Sequence, residues 1–344
     1  MKKITVIGDF AYGYPVYSGQ TAKTRDIYNS LSEKYEKVQS LDTRNWKKHI
    51  VGRTLKFIAL LFTTKCFVLP LCRNGRKSIL LGLLILKPVF KYKIIFPAVG
   101  GSLMEDYKNE KQLMKRFNRI DGVFFETKQM VDFFKKMGYS NIHYLPVFST
   151  RSLTISKFYN TQPPFKFCTY SRVIKEKGIS NAINAISNVN KKAGKIVCTL
   201  DIFGNPSIDY KDEFDSLLST NYDCVFSKNL LGDNAVDVLS SYYALLFPTY
   251  YEGEGFPIAL IECMKAGLPC ICSDWHFNSE IISDGVTGYV FDLNENDALE
   301  KCIIDSIENP EKIKIMSKNC IEEVKKYEPS SLLREMFELV DGRD

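Results

Sequence analysis

The chain has 344 residues, 45% apolar and 25% charged, with a formal net charge of +6. That length exceeds what one core usually serves, so two domains are the expectation for an ordinary soluble globular protein. Ten cysteines without a C-x2-C pair or a spaced Cys/His cluster argue against a zinc site and read as reduced, mostly core residues of a cytoplasmic protein.

Met1-Lys-Lys-Ile-Thr-Val-Ile-Gly8 reads as a strand that begins at once, not as a signal peptide. A glycine-bearing loop through Tyr17-Ser-Gly-Gln-Thr-Ala22 leads to a helix over 20–35, without a G-x-G-x-x-G. Strands over 66–70, 93–97, 122–126 and 142–145 then alternate with helices over 76–90, 113–119 and 128–137. Short apolar runs alternating with amphipathic stretches predict a parallel, doubly wound sheet. Pro163-Pro164, after a polar stretch over 149–162, marks a boundary. A second alternation follows: strand 167–171, helix 179–191, strand 197–203, then 213–218, 223–226 and 235–242. Helices over 298–308, 310–327 and 330–340 close the chain.

Charge is unevenly placed. Residues 1–150 hold 26 Lys/Arg against 11 Asp/Glu, and the remainder hold 20 against 29. Between Asp42 and Glu105 there is no acidic residue but 12 Lys/Arg, interleaved with the apolar runs 55–62 and 79–86. Part of each run must be a core helix with lysines on its wet face. The remainder suits an anionic membrane surface. Lysines bound both runs too closely for either to span a bilayer. No RNA- or DNA-binding motif accompanies the patch, so nucleic acid is not an expected partner.

The block 249–292 is the most informative. Strand-like 244–248 leads into Thr249-Tyr-Tyr-Glu-Gly-Glu254-Gly-Phe-Pro257, a short apolar helix over 258–266, and the stop signal Gly267-Leu-Pro269. Pro257 suits the first helical position. A helix entered through Gly253, Gly255 and Pro257 offers backbone N–H groups and a positive dipole end to an anion such as a diphosphate. Glu254 and Glu262, eight positions apart, span about 12 Å at helical rise, enough to hold hydroxyls at both ends of an elongated ligand. An acidic pair on a solvated helix start is the plain alternative, and for this spacing alone the commoner one. Upstream, Arg172 and Lys177 lie after the first strand of the second half, an electropositive fork or simply an exposed basic loop.

Together these segments resemble the donor-binding block of family 4 retaining glycosyltransferases, as found in bacterial O-antigen, capsule and lipopolysaccharide synthesis. The resemblance implies an α/β architecture of GT-B type, two Rossmann-like doubly wound domains facing across a cleft. Residues 1–155 would bind the acceptor and 163–325 the nucleotide-sugar, with 326–344 crossing back to the first domain. It implies that Arg172 and Lys177 neutralise the departing diphosphate, that Glu262 binds the ribose and that Glu254 binds the transferred sugar. Backbone at Gly255, Phe256 and Pro257 would meet the distal phosphate and sugar, with Gly19 and Gly204 beside the donor. Leu231 falls where the base pocket is usually walled, or in a plain turn.

Family members often place a histidine near the transferred sugar. Here only His49, His143 and His276 occur, and His143 reads as structural. In that region Phe96-Pro-Ala-Val-Gly-Gly101-Ser102-Leu-Met-Glu105-Asp106 resembles the Gly-Gly loop of O-antigen and capsule enzymes. Gly101 and Ser102 would line the sugar site. Glu105 or Asp106 would lie near the acceptor, or cap the next helix.

No D-x-D motif occurs, which fits transfer without metal or other cofactor. The implied activity is retaining hexosyl transfer from a nucleotide-sugar, UDP favoured and GDP the alternative, by front-face attack. The acceptor would be a polyprenyl-diphosphate-linked glycan, and the enzyme peripheral at the cytoplasmic face of the cell membrane. A GT-B nucleotide-sugar epimerase and a non-catalytic nucleotide-sugar-binding subunit are the competing readings.

Overall fold

The computed structural model describes residues 3–13, 19–99, 103–106, 109–152 and 162–342. Two compact units divide the chain: Met1–Thr150 with Tyr327–Asp344, and Arg151–Lys326. The first holds strands β1 Ile4–Gly8, β2 Val38–Asp42, β3 Cys66–Val68, β4 Lys93–Pro97, β5 Gly122–Phe125 and β6 Ile142–Tyr144. The second holds β7 Phe165–Tyr170, β8 Cys198–Phe203, β9 Val225–Lys228, β10 Ala244–Phe247, β11 Cys270–Ser273 and β12 Gly288–Phe291.

All pairings are parallel. The orders are β2-β1-β3-β4-β5-β6 and β12-β11-β10-β7-β8-β9. The second is the doubly wound nucleotide-binding order, whose direction of winding reverses between β7 and β10. The first follows the other common doubly wound order and reverses between β1 and β3. In such sheets ligands bind outside the carboxyl ends of the strands at the reversal.

Side-chain alternation explains the layers. In the first unit Ile7, Phe67, Ile94 and Phe96 face the helices Ile50–Thr63, Leu81–Phe90 and Lys128–Lys136, which contribute Leu60, Leu61, Leu83, Leu84, Met130 and Phe134. Ile4, Val6, Val68 and Ile95 face the other way. There Ile27 and Leu31 of helix Gly19–Lys34 pack beside Leu333, Met336 and Val340 from the last helical segment. The closing helix, Arg334–Asp341, is held by more than apolar contact. Lys93 donates to Leu339 O at 2.9 Å, Tyr35 to Asp341 at 3.1 Å, and His143 Nδ1 lies 2.8 Å from Glu335. Gly122 lies closely beneath it: a Cβ there would meet Leu339 Cδ1 at 2.4 Å, so the leucine tip would have to shift.

Most expected elements appear within a few residues. Strand β2 was not anticipated: Val-Gln-Ser-Leu-Asp is half polar and pairs only with β1, so its apolar signal is weak. The helix expected over 76–90 starts with a π turn over Arg76–Leu80. Arg76 there is fully buried and paired with Asp106 at 2.7 Å and Glu110 at 3.1 Å. Arg73 also pairs with Asp106. The Asp106 carboxylate is therefore engaged by two guanidinium groups, a different assignment from an acceptor contact or a helix cap.

Candidate active site

The carboxyl ends of β7 and β10 carry the second unit's distinctive chemistry. The loop after β7 runs through Arg172 to Lys177, and the loop after β10 through Thr249 to Glu254. They are stitched together: Tyr250 N–H donates to Glu176 O at 2.8 Å. Gly178, at φ +70°, lets them approach, since a Cβ would meet Pro248 O at 2.0 Å.

Lys177 and Glu254, 77 positions apart, form an ion pair with side chains 7% and 9% exposed. Thr249 Oγ1 donates to the same Glu254 oxygen at 3.0 Å. The Lys177 ammonium also lies 5.4 Å from the Tyr251 ring and 5.3 Å from the Phe247 ring. Burial lowers its pKa from the ordinary 10.5, opposed by Glu254 and reinforced by the charge of Arg172. Arg172 itself is exposed and stacks over the other edge of this cluster, its guanidinium 4.8 Å from the Tyr251 ring. Tyr251 thus serves as a shared platform for both cations. Trp275 Nε1 steadies it by donating to Tyr251 O at 2.9 Å.

Glu262 has a different set of partners. It sits on helix Ile258–Lys265 and is 2% exposed. Arg151 Nη1 lies 2.5 Å from its Oε1, and Tyr170 OH donates to its Oε2 at 2.9 Å. Burial, then the neighbouring carboxylate, push the Tyr170 phenol well above its ordinary range, so it remains a donor. Lys265, one turn on, donates to Arg151 O at 2.8 Å. The helix starts at Ile258, so Pro257 is the residue before the first turn. Glu254 lies in the loop ahead of it. Helical rise therefore does not set the separation of the two acids.

The remaining expected residues fall as follows. Phe256 and Pro257 are buried at the helix entry and Gly255 is half-buried. Gly204 ends β8 at φ +136°, where a Cβ would stand 3.1 Å from Ser171 O, directly beside the β7 loop. Leu231 is half-buried in the irregular segment after β9, and Gly19 is the exposed first residue of helix Gly19–Lys34. Gly101 and Ser102 lie outside the described residues. Among the described residues no group of three His, Cys, Asp or Glu is placed to hold a metal ion.

Sequence reasoning missed Arg151, Tyr170, Thr249 and Tyr251. The last three adjoin quoted motifs, and their strand-end positions were the available signal. Arg151 had none.

A family profile described as glycosyl transferases group 1 matches residues 154–326, half of the chain. The chain belongs to the group 1 glycosyl transferases. Among curated relatives of this group 1 chain is the GtfA subunit of the UDP-N-acetylglucosamine–peptide N-acetylglucosaminyltransferase of Streptococcus pneumoniae. It is 31% identical over 147 residues, 42% of this chain and 28% of that protein. An Escherichia coli UDP-Gal:α-D-GlcNAc-diphosphoundecaprenol α-1,3-galactosyltransferase is 29% identical over 84 residues, 24% of this chain and 21% of that one. The chain thus spans only 28% to 32% of the length of the GtfA relatives from S. pneumoniae and Streptococcus agalactiae. Anabaena Alr3699/HepE, solved with UDP, superimposes with a TM-score of 0.74 over 99% of this chain and 100% of its own, at 13% identity. With two parallel six-stranded sheets, this group 1 glycosyl transferase has the GT-B fold.

Proposed function

We propose that this chain is a retaining, metal-independent family 4 glycosyltransferase that uses a UDP-sugar and a polyprenyl-diphosphate-linked glycan acceptor at the cytoplasmic membrane face. The observation that carries the reading is the Lys177–Glu254 pair at the β7/β10 reversal, with Arg172 stacked beside it. A buried ammonium held by one carboxylate and two ring faces, with no backbone carbonyl among those partners, suits a diphosphate that arrives with the donor. The diphosphate would take Lys177 and Arg172. Glu254, released, would accept hydrogen bonds from the sugar hydroxyls.

Glu262, oriented by Tyr170, would take the ribose hydroxyls. The first-turn N–H groups after Pro257 face the phosphates by the helix-terminus rule. Transfer then breaks the bond from C1 to the phosphate oxygen and forms the bond from the acceptor oxygen to C1 on the same face. The acceptor proton passes to the departing phosphate oxygen. Arg172, Lys177 and the helix dipole stabilise the negative charge that grows on the diphosphate, and Glu254 the positive charge at C1.

UDP is favoured because the relatives named above are UDP-sugar enzymes and the HepE structure holds UDP. Their acceptors differ, a peptide in one and a diphosphoundecaprenol-linked sugar in the other. The first unit's charge favours the lipid-linked class: 26 Lys/Arg against 11 Asp/Glu over residues 1–150. The deciding assay is release of free sugar from a panel of UDP- and GDP-sugars, repeated with Glu254→Ala and followed by NMR of the anomeric centre. Loss of release in the variant, with retained configuration in wild type, supports transfer. Inversion at C2 instead identifies an epimerase. Tight UDP binding with no turnover, even with acceptor lipid, identifies a binding subunit.

A further inference from the structure

Two helices of the first unit turn large apolar side chains outward. On Ile50–Thr63 the buried residues are Leu60 and Leu61. Val51, Leu55, Ile58 and Phe62 recur every three or four positions on the other side, 46% to 73% exposed. On Leu81–Phe90, Leu83 and Leu84 face the core, while Ile85 and Val89 are 54% and 73% exposed. Both helices cover the same face of the sheet, and the Phe62 and Phe90 rings meet edge to face at 5.2 Å. The result is one continuous apolar strip, beyond the scattered exposed residues of an ordinary surface.

Cations surround it. Lys56, Lys65, Lys77 and Lys91 are exposed, and no acidic residue occurs between Asp42 and Glu105. At the end of helix Leu81–Phe90 the strip borders an open cavity of about 670 Å³ lined by Lys87, Lys91, Lys93, Arg119, Asn118 and Asp121 among others. Lys87 is engaged by Asp121 and Arg119 O, each at 2.5 Å, and Lys93 by Leu339 O at 2.9 Å. Lys91 and Arg119 are exposed at its rim. With Lys87 matched by Asp121 and Lys93 turned to a carbonyl, the excess positive charge at the rim comes from Lys91 and Arg119, which suits an anion.

The combination selects among partners. Nucleic acid would satisfy the cations but would leave the apolar strip facing a phosphate backbone. A second copy docked symmetrically would bring two such basic surfaces together, because a two-fold interface presents the same patch from both sides. A bilayer with anionic headgroups meets both requirements at one depth. We propose that helices Ile50–Thr63 and Leu81–Phe90 form a membrane-insertion face, with a lipid phosphate received by Lys91 and Arg119 at the rim of this cavity. This deepens the lipid-linked-acceptor reading above and rests on it for its purpose, while naming a surface and a headgroup site apart from the donor site.

The test is flotation of the full chain with phosphatidylcholine vesicles, with and without phosphatidylglycerol, at low and high salt. Wild type is expected to float with anionic vesicles and to detach as salt rises. Leu55→Glu/Phe62→Glu, at exposed positions, should weaken binding to every vesicle by about tenfold or more. Lys91→Glu/Arg119→Glu should remove the preference for phosphatidylglycerol, again by about tenfold. Inorganic phosphate that competes for wild type but not for this second variant marks the cavity as a general phosphate seat; competition by soluble glycerophosphoglycerol alone marks a headgroup site.

Vesicle binding that neither variant changes overturns the proposal, as does no salt-sensitive binding at all. So does a concentration-dependent dimer abolished by Phe62→Glu. UDP-sugar hydrolysis without lipid, measured in parallel, should be equal in wild type and both variants. Its absence would count against the glycosyltransferase reading and leave vesicle binding as a separate result.

Discussion

Each unit buries a lysine–glutamate pair beyond the carboxyl ends of its strands, and the two pairs are built differently. In the first, Lys23 of helix Gly19–Lys34 reaches Glu126, after β5, and Ala98 O, after β4, each at 2.6 Å. The ammonium is spent on holding two loops in place, with one backbone partner that cannot leave. In the second, Lys177 has its carboxylate partner on a glycine-flanked loop and two aromatic faces, with exposed Arg172 adjacent. None of those partners is backbone. A bolt and an exchangeable contact use the same two residue types, and the remaining partners tell them apart.

The contrast breaks most visibly through activity. Lys177→Ala is expected to lower kcat for UDP-sugar turnover by about 100- to 1,000-fold, the scale for losing one preorganised charge-stabilising group. Lys23→Ala, assayed in the same way, should leave kcat within a few-fold. Equal losses in both would erase the distinction. Stability is the second readout for the first pair. Lys23→Ala strands a buried carboxylate and should cost about 3 kcal/mol in urea unfolding. Lys23→Met/Glu126→Leu should recover much of that, because an apolar pair of similar volume replaces buried charge at little cost.

A smaller effect tests Arg151. Its ion pair with Glu262 orients the expected ribose acceptor, so Arg151→Ala should raise the KM for UDP-sugar about tenfold with little change in kcat, one hydrogen-bonded charge contact being of that size. The corresponding ratio for a 2′,3′-dideoxy-UDP-sugar should barely move. An equal rise for both donors would mean that Arg151 supports the fold only.

The smallest effect is in pH. Burial holds Lys177 below 10.5 in the folded chain. Between the folded value and 10.5 the unfolded chain binds more protons, so this residue's contribution to stability rises with pH there and is at its least below both values. Activity runs the other way. Loss of the ammonium in the free enzyme should bring the alkaline limb of kcat/KM below pH 10.5, and Lys177→Arg should move that limb upward, since a guanidinium stays charged.

What could be read from sequence follows from how local each feature is. The stretch around Glu254 and Glu262 is contiguous, and its glycines, proline and short apolar helix announce themselves. The two sheets were legible from alternating runs, because strands buried on both sides are continuously apolar. Strand β2 failed that test through its polar residues. Lys23–Glu126 and Arg76–Asp106 link residues about 100 and 30 positions apart, and nothing in spacing records such a meeting. Arg151 belongs with them. It stands one residue past Thr150, whose N–H and hydroxyl bind Asp26 at 3.0 and 2.5 Å, so neighbouring residues are anchored in different units.

The packing of Leu333, Met336 and Val340 against Ile4, Val6 and Ile95 sets an order of assembly on the ribosome. The half of the protein translated first lacks part of one core layer, the part beside Ile27 and Leu31, until residues 327–341 emerge, while everything that β7 to β12 need has already been made. The later-made unit is therefore the first able to close fully, and the earlier one waits with part of an apolar sheet face uncovered. Chains halted after Lys326 should give a protease-resistant 151–326 fragment and a first half that is cleaved and recruits holdase chaperones. Equal resistance in both halves would show that the closing helix is dispensable.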